Sequence, residues 1–412
     1  MALIVQKYGG TSVGDTARIA RVADRVIRTR ESGNQVIVVV SAMAGETNRL
    51  TKLAADLTDT PSEREMDVIL STGEQVTIGL LSIALDARGC AARSFTGSQV
   101  RITTDSAFSK ARIQKIDDSA IRQALDRGEV VVVAGFQGID EAGNITTLGR
   151  GGSDTSAVAI AAALGADVCE IYTDVDGVFT SDPGVVPSAR MLDRVSYDEM
   201  LEMASLGAKV LHIRSVLFAK KYNVPLHVRS SFNDKEGTLV TREEDIMEAL
   251  EVTGVTYNRD EAKITVVGVP DQPGVAAKLL GPITDCNIIV DMIVQNVGTD
   301  GHADVTFTVP KADFKKALSC AQEAARELRA REVLSDDRVA KVSIVGMGMK
   351  NHAGVASRMF ELLSKEGINI QIISTSEIKI SCVIDDKYAE LAVRTLHDGF
   401  ELGKEPAVAE NT

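Results

Sequence analysis

The sequence predicts an α/β protein in which an open, mostly parallel sheet with helices on both faces is followed by two small α+β domains. The first part of this prediction rests on residues 1 to about 245, where apolar strand-like runs alternate with helix-like stretches, as in parallel α/β folds. The second part rests on an internal repeat, because the segment 263–295 matches the segment 341–375. A repeat of this length indicates a duplicated domain.

The composition narrows the class of protein. Of the 412 residues, 44% are hydrophobic and 25% are charged, which is typical of a globular chain and not of a disordered one. The net charge is −13 and no block of basic residues occurs, so we do not expect a nucleic acid partner. The five cysteines are widely spaced, which argues against a disulfide framework and against structural zinc.

The sequence gives no sign of a membrane partner or of export. The nearest candidate for a membrane segment, at 157–168, is shorter than the roughly 18–20 apolar residues that a span requires. The N-terminus lacks the regions of a signal peptide, because Lys7 and the glycines after it interrupt the first apolar run. We therefore expect a cytoplasmic protein.

The first element pair is a strand, a glycine turn and a helix. The stretch "VQKYGGTSVGDTARIA" (5–20) places Lys7 before Gly9 and Gly10, and helical periodicity begins after Asp15. Glycines let backbone N–H groups approach a ligand closely, and a helix N-terminus favours an anion. The lysine precedes the glycines, so this is not the usual phosphate-loop pattern. An anion site and a plain tight connection both remain open from the turn alone.

A second glycine turn, "GRGGSDTS" (149–156), carries the strongest chemical signal. Asp154 or Ser153 could simply cap the helix that follows. That interpretation does not explain Arg150, which stands between glycines. A guanidinium in this position is suited to bidentate binding of a carboxylate or a phosphate.

Three further motifs are weaker when each is taken alone. The acidic turn "YTDVDGVFTSDP" (172–183) fits an Asx-turn better than a calcium loop, although a nucleotide pocket is a second interpretation. Glu74 in "STGEQ" and Lys209 in "LGAKVLH" could each be an ordinary solvated charge. No histidines or acidic residues show the spacing of a metal site, and no order typical of a nucleophilic triad occurs.

The motifs together resemble those of aspartate kinases. "KYGGTSV", "VVVSAM", "STGEQ", "TLGRGGSDTSA", "YTDVDGVFTSDP" and "GAKVLH" occur in the order seen in that family, and two ACT regulatory domains follow them. The resemblance implies an amino-acid-kinase, carbamate-kinase-like catalytic domain over 1–245. It further implies a linker over 246–262 with a strand that joins the second ACT domain, and two ferredoxin-like ACT domains over 263–338 and 339–412.

The activity that this resemblance implies is phosphorylation of the side-chain carboxylate of L-aspartate by ATP, which gives 4-phospho-L-aspartate and ADP. This reaction would be the first step toward lysine, threonine, methionine and diaminopimelate. The chemistry agrees with the motifs, because the carboxylate is already ionised at pH 7 and needs no general base. Phosphoryl transfer depends instead on positioning and on neutralising charge.

The resemblance also implies roles for individual residues. Lys7 and Asp154 would be catalytic, and Mg²⁺ would bridge phosphate oxygens without a metal-binding cluster in the protein. Arg150 and Glu74 would hold the α-carboxylate and the ammonium of aspartate. The remaining members are Gly9, Gly10 and Thr11 for the phosphoryl group, Thr173, Asp174, Asp182 and Lys209 for the nucleotide, and Ser41, Thr47 and Ser153 for aspartate.

For regulation, the resemblance implies inhibition by threonine and lysine through the ACT domains. The loop "DQPGVAAKL" (271–279) would present amides to an effector carboxylate, whereas the matching loop "MKNHAGVA" lacks the Asp-x-Pro-Gly form. The ACT domains would pair between chains, in a homo-oligomer or in an α2β2 assembly with a small subunit that starts near Met247. The expected effector residues are Asp271, Gly274, Val275, Ala276 and Gln295 for threonine, Asp291 and Ser376 for lysine, and Asn369 and Ile370 from the partner copy.

Two alternatives remain from the sequence. Another amino-acid kinase could act on glutamate, N-acetylglutamate or a nucleotide, but Glu74 with Arg150 favours a free α-amino acid. A non-enzymatic amino-acid sensor could be built on the ACT repeats, but a sensor has no reason to keep Lys7, Gly9, Gly10 and Asp154 together.

Overall fold

The computed structural model describes residues 1–206, 210–246, 251–298, 301–352 and 354–404. It divides into two compact units. The first unit comprises Met1–Val178, Met191–Ser205 and Lys209–Glu248, and the second comprises Phe179–Arg190, Leu206–Ala208 and Ala249–Thr412. The chain therefore leaves the first unit after Val178 and returns to it at Met191.

The first unit contains an α/β sheet and a smaller sheet. Along the chain its elements are β1 (Leu3–Tyr8), α1 (Thr16–Glu31), β2 (Gln35–Val40), α2 (Glu46–Ala55), α3 (Glu63–Leu70), α4 (Thr72–Asp86), β3 (Ala92–Phe95), β4 (Ile102–Thr104), β5 (Ile113–Ile116), α5 (Ser119–Asp126), β6 (Val130–Ala134), β7 (Gln137–Ile139), β8 (Ile145–Thr147), α6 (Gly152–Leu164), β9 (Val168–Thr173), β10 (Arg194–Ser196), α7 (Tyr197–Ser205), α8 (Ile213–Tyr222), β11 (Leu226–Ser230) and β12 (Thr238–Thr241).

The main sheet has the strand order β10-β12-β11-β9-β1-β2-β6-β3 among the described residues. Every neighbouring pair is parallel except β11 with β12. Helices α1 and α4 pack together, as do α6 and α8. The prediction of an open, mostly parallel sheet is confirmed. The smaller sheet has the order β5-β4-β7-β8.

The central strands are buried on both faces, which explains their continuous apolar sequences. Val36 and Val38 pack with the core residues of α1 and α4, and the residue between them, Ile37, is equally inaccessible. At the end of β1, Tyr8 stacks on Tyr172 of β9 with the ring centroids 4.7 Å apart. Because side chains alternate along a strand, Lys7 points away from that stack.

One stretch of the first unit is apolar on average although polar residues interrupt it. Glu63–Asp86, which spans α3 and α4, is long and apolar enough to cross a membrane by length and composition alone. A single stretch of this kind is weak evidence of a membrane span, because the core helix of a globular protein passes the same test. Ile78, Leu81 and Leu85 of α4 pack in the core of the first unit, and this packing accounts for the apolar composition.

The second unit is built on one sheet shared by both repeats. Its order is β14-β15-β13-β16-β18-β17 among the described residues, and all neighbouring pairs are antiparallel. Along the chain its elements are β13 (Gly254–Pro270), α9 (Val275–Asp285), β14 (Ile293–Val297), β15 (His302–Val309), α10 (Phe314–Glu327), β16 (Glu332–Val345), α11 (Val355–Lys365), β17 (Ile372–Thr375), β18 (Lys379–Asp385) and α12 (Ala389–Gly399).

The two long strands, β13 and β16, join the repeats. The N-terminal part of β13 pairs with the C-terminal part of β16, as in Gly254 opposite Val345. The other halves pair in the first repeat, as in Lys263 opposite Asp336. The register shifts between Asn258 and Lys263, where the chain passes from one repeat to the other. One half of each long strand thus belongs to the first repeat and the other half to the second.

Candidate active site

The glycine turns lie at one edge of the main sheet. Gly9 follows β1, Ser41 follows β2 and Gly135 follows β6, and these three strands are adjacent and parallel. In open parallel sheets, ligands bind beyond the carboxyl ends of the strands. The local order of strand, glycine turn and helix therefore brings distant motifs to one edge.

A cavity of about 360 Å³ opens at this edge. Its size is within the usual range for a small-molecule site. The residues that line it are Lys7, Gly9, Gly10, Ser41, Ala42, Met43, Ala44, Gly45, Thr47, Glu74, Phe136, Gly149, Arg150, Gly151, Gly152, Ser153 and Asp154.

A lysine–aspartate pair lies in the cavity wall. Lys7 Nζ is 2.5 Å from Asp154 Oδ1, and the two side chains are only 11% and 13% exposed. Lys7 is the next-to-last residue of β1, whereas Asp154 belongs to the first turn of α6. Limited solvent makes this interaction stronger than a surface pair. Asp154 therefore fixes the position of the ammonium group at the cavity.

Two helices begin at the cavity without a side-chain cap. Gly45 precedes α2 and Gly151 precedes α6, each with positive φ, and neither helix has a side-chain hydrogen bond at its N-cap. Uncapped N–H groups and the helix dipole favour an anion. The glycine at position 10 is required by close packing, because a Cβ there would lie 2.9 Å from the carbonyl oxygen of Ala42.

Glu74 is a buried carboxyl group in the cavity wall, and one of its oxygens has no hydrogen-bond partner among the described residues. The residue is 3% exposed, and its Oε1 accepts a hydrogen bond from the Ala42 N–H at 3.0 Å. Its Oε2 is buried and has no hydrogen-bond partner among the described residues. Burial raises the pKa of Glu74 to about 7. A cationic ligand in the cavity would satisfy this oxygen and favour the ionised form.

Arg150 projects from a turn held by glycines on both sides. Gly149 and Gly151 have φ values of +74° and +68°. A Cβ on Gly151 would lie 2.2 Å from a ring carbon of His212, so a larger residue does not fit there. Arg150 forms no ion pair with any residue that the structure describes, which leaves its guanidinium available to an anionic ligand.

The structure brings together most of the residues that the sequence identified, but not all of them. Thr11, Thr173 and Asp174 belong to the first unit but do not line the cavity. Asp182 belongs to the second unit, where it accepts a hydrogen bond from the Gly184 N–H. Lys209 and Met247 lie outside the described residues. The residues that were expected to contact the nucleotide, as far as the structure describes them, therefore do not line this cavity.

The expected effector residues fall on both repeats. Asp271 and Gly274 lie just before α9, whose N-terminus has no side-chain cap. Asp291 forms an ion pair with Lys341, a buried lysine that also contacts Glu261 at 3.0 Å. The other members lie at the start of α9 (Val275, Ala276), on β14 (Gln295), before β17 (Asn369, Ile370) and after β17 (Ser376).

Sequence reasoning missed part of the lining. The segment from Ala42 to Gly45 follows β2 and carries the N-terminus of α2, and its glycine before a helical stretch was a usable signal. Phe136 had no such signal. Its φ of +69° is unusual for a bulky residue and is evident only in the structure. Residues in this backbone conformation often mark functional sites.

Comparisons with known proteins identify the family of this chain. The model of the amino acid kinase family matches residues 2–230, and an ACT domain model matches residues 264–324 and 342–400. An aspartokinase of Pseudomonas aeruginosa is 63% identical over 404 residues, which cover 98% of this chain and 98% of that protein.

Solved structures of Escherichia coli aspartokinase III are also similar. The complex with aspartate and ADP (R-state) has a TM-score of 0.79 at 28% identity and covers 96% of this chain and 99% of that one. The complex with lysine and aspartate (T-state) has a TM-score of 0.76 at 28% identity and covers 97% and 99%.

The chain therefore belongs to the amino acid kinase family and, within it, to the aspartate kinases with two C-terminal ACT domains. It is an enzyme that phosphorylates aspartate in amino-acid biosynthesis.

Proposed function

We propose that the enzyme transfers the γ-phosphoryl group of ATP to the side-chain carboxylate of L-aspartate, giving 4-phospho-L-aspartate and ADP. This product would feed the synthesis of lysine, threonine, methionine and diaminopimelate. The observation that carries the proposal is one cavity that holds the Lys7–Asp154 pair, uncapped helix amides and the buried open oxygen of Glu74. The related E. coli enzyme has been solved with aspartate and ADP, which supports this choice of ligands.

Aspartate would bind through its α-carboxylate and its α-ammonium group. Arg150 would pair with the α-carboxylate, since its guanidinium has no ion-pair partner among the described residues. The ammonium would satisfy Glu74 Oε2. Ser41, Thr47 and Ser153, which also line the cavity, would hydrogen-bond the rest of the molecule. The side-chain carboxylate would then point toward Lys7.

Lys7 and the amides of Gly9 and Gly10 would neutralise the transferring phosphoryl group, and Asp154 would orient Lys7. Mg²⁺ would be held through phosphate oxygens. Thr11 would contact the phosphoryl group, and Thr173, Asp174, Asp182 and Lys209 would contact the nucleotide. These five assignments rest on the motif resemblance alone.

Replacement of Lys7 tests the phosphoryl-transfer role. In an assay that traps the acyl phosphate with hydroxylamine, Lys7→Ala should lower kcat by about 10²–10³ or more, because a fixed donor to the transition state is lost. Lys52→Ala, which removes an exposed lysine from α2, should keep wild-type turnover. Near-normal rates in Lys7→Ala would contradict the assignment. Product formation from aspartate but not from glutamate or N-acetylglutamate would exclude the alternative kinases.

The charge on Glu74 tests how aspartate binds. Below pH 7 the carboxyl group is increasingly protonated, so the KM for aspartate should fall as the pH rises through about 7. Glu74→Gln should raise the KM and remove this pH dependence, because the amide carries no charge. Glu63→Gln, at an exposed position in α3, should retain it. An unchanged KM profile in Glu74→Gln would show that the ammonium binds elsewhere.

We also propose that threonine and lysine inhibit the enzyme through the ACT repeats. The uncapped start of α9 beside Asp271 could accept an effector carboxylate. The complex of the E. coli enzyme with lysine and aspartate supports lysine as an effector. Because Asp291 already holds the ammonium of Lys341, a lysine ligand at Asp291 would compete with that pair. Assays with each amino acid alone and with both together test these effectors.

The assembly remains a proposal as well. Pairing of ACT repeats between chains would make either a homo-oligomer or an α2β2 enzyme with a small subunit that starts near Met247. Mass photometry of the native enzyme, together with intact mass analysis of its chains, distinguishes these assemblies. A single chain size would exclude the small subunit.

A further inference from the structure

A second cavity in the first unit has no role in the reaction described above. Its volume is about 600 Å³, and it lies between α1 and the loop after β11. We call it the arginine cavity, after Arg18, Arg21, Arg25 and Arg28, which project from one side of α1. Its remaining lining consists of Tyr8, Ser12, Val22, Asp24, Ser231, Phe232, Asn233 and Asp234.

The lining is strongly cationic although the whole chain is acidic. Four guanidinium groups face two carboxylates. Asp234 forms an ion pair with Arg25 at 2.9 Å, and Asp24 is engaged by Arg88 at 2.7 Å from outside the cavity. Arg18 also contacts Asp15 at 3.4 Å. Arg21 forms no hydrogen bond or ion pair with a described residue. Among the described residues, the only ion-pair contact of Arg28 is with Asp234 at 3.7 Å. Arginines in neighbouring helical turns repel one another, so an anion between them would be stabilising.

One guanidinium is fixed in place. Arg25 donates hydrogen bonds to the carbonyl oxygens of Ser230 and Asn233 at 2.8 and 2.7 Å, and it lies over the ring of Tyr172. Its side chain is only 13% exposed. A cation held in this way is preorganised for a ligand, whereas a solvated arginine must first lose conformational freedom.

The cavity also has an aromatic wall. Phe232 is 49% exposed, and the guanidinium of Arg18 lies over its ring at 5.5 Å from the centroid. Arginine and an exposed ring together form a surface on which a planar group can stack. The wall therefore fits a ligand that carries both phosphates and a base.

The arginine cavity is connected to the glycine turn of the active site. Arg18 donates a hydrogen bond to the carbonyl oxygen of Thr11 at 2.6 Å. The hydroxyls of Ser12 and Ser231 are hydrogen-bonded, and Ser231 also donates to the carbonyl oxygen of Thr173 at 3.0 Å. An anion that attracts Arg18 would thus release a contact that holds the turn after Lys7.

We propose that the arginine cavity binds a small ligand with several phosphate groups and that this ligand changes the affinity of the active site for ATP. Arg21, Arg25 and Arg28 hold the phosphates. The ligand is either an inorganic polyphosphate or a nucleotide whose base stacks on Phe232. The effect on ATP rests on the proposed function, but the binding site does not.

Calorimetric titration with tripolyphosphate at fixed ionic strength tests the site. The double variant Arg21→Ala/Arg28→Ala should bind one equivalent fewer than the wild type, or bind that equivalent at least tenfold more weakly. The double variant Arg122→Ala/Arg127→Ala, at one position in α5 and one directly after it, removes the same charge elsewhere and should bind like the wild type. Equal stoichiometry and affinity in the wild type and the Arg21/Arg28 variant would overturn the proposal.

Two further experiments are needed. The first distinguishes a nucleotide from inorganic polyphosphate as the ligand, and the second distinguishes the arginine cavity from the active site. If the ligand is a nucleotide, ATP should bind the cavity more tightly than tripolyphosphate, and Phe232→Ala should remove the difference. Equal affinities assign the cavity to inorganic polyphosphate. Lys7→Ala should keep the equivalent that depends on Arg21 and Arg28, so loss of catalysis and loss of this site are distinguishable. Loss of that equivalent in Lys7→Ala would place it in the active site and overturn the proposal.

Discussion

The two ACT repeats have the same order of elements but bury their last helices differently. In the first repeat, α10 presents small residues to the core, among them Ala317 and Ala321. In the second repeat, α12 presents Val393 and Leu396. Small residues allow a helix to approach the sheet closely. Larger residues hold the helix farther away and form a wider core, which other residues must cover. The duplication thus preserved the fold and changed how each core is filled.

The second repeat is completed by a segment from elsewhere in the chain. Val186, from the segment Phe179–Arg190, is part of its core, and Thr180 hydrogen-bonds the fully buried His397 of α12 at 2.9 Å. The described core of the first repeat draws only on residues from 262 to 333. Sequence repetition alone therefore does not make the copies equivalent, since only one of them is bound to the chain that continues from β9.

The largest expected loss of stability comes from removing side-chain volume from the core of the second repeat. Leu396→Ala should destabilise the second unit by about 2–5 kcal/mol, because it leaves a cavity among fully buried neighbours. Differential scanning calorimetry of the whole enzyme measures this as a lower unfolding temperature. A loss below 1 kcal/mol would show that the segment around Val186 collapses into the space.

The corresponding substitution in the first repeat adds side-chain volume to the core instead of removing it. Ala321 is also fully buried, so Ala321→Leu should overpack α10 and cost about 1–3 kcal/mol. If Ala321→Leu is neutral, the first repeat has room that the packing of α10 does not indicate.

A second difference is chemical. Cys286 at the end of α9 and Cys320 of α10 have their sulfur atoms 3.2 Å apart, although the sequence spacing argued against disulfides. Diamide should accept two electrons and two protons from this pair and leave a disulfide that stabilises the first repeat by about 2–4 kcal/mol. In the second repeat, the only described cysteine is Cys382, which is buried and whose pKa burial raises to about 12.

Peptide mapping under non-reducing conditions, with calorimetry before and after oxidation, checks this prediction. Cys320→Ser provides the control, since it should show neither the cross-link nor the rise in unfolding temperature. Recovery of Cys286 and Cys320 as free thiols after stoichiometric diamide would contradict it.

The smallest expected effect is a pH dependence to which the second repeat contributes through His397. Burial lowers the pKa of His397 from its ordinary value of 6.5, and Asp398, 3.8 Å away, opposes this shift only in part. The unfolded state therefore binds the proton more tightly, and stability should be lost as the pH falls below about 6.5, by at most about 1.4 kcal/mol per pH unit. His397→Gln should reduce this slope in calorimetry between pH 7 and pH 5. Part of the slope should stay, because burial also lowers the pKa of His212 and of His227 in the first unit. A wild-type slope that persists in the variant would assign it to other groups.

The catalytic motifs could be predicted because each is a local pattern. Lys7 before two glycines, Arg150 between glycines and Glu74 in a helical turn follow strands or begin helices, and neighbouring parallel strands end at the same edge. Asp182 shows the limit of this reasoning. It lies in the same acidic motif as Asp174, but the chain enters the second unit after Val178, and no local pattern marks that passage.

By itself, the sequence determined the alternation of strands and helices, the duplicated C-terminal domain and the residue types at the mouth of the sheet, because periodicity and glycine turns act over a few neighbouring residues. Only the tertiary structure decided that Phe136 lines the active-site cavity and that four arginines of α1 line one cavity with Phe232. It also decided that Cys286 meets Cys320 and that Thr180 reaches His397. These contacts join residues far apart in the chain. They depend on how whole elements pack, and this packing leaves no periodic signal at either end of the contact.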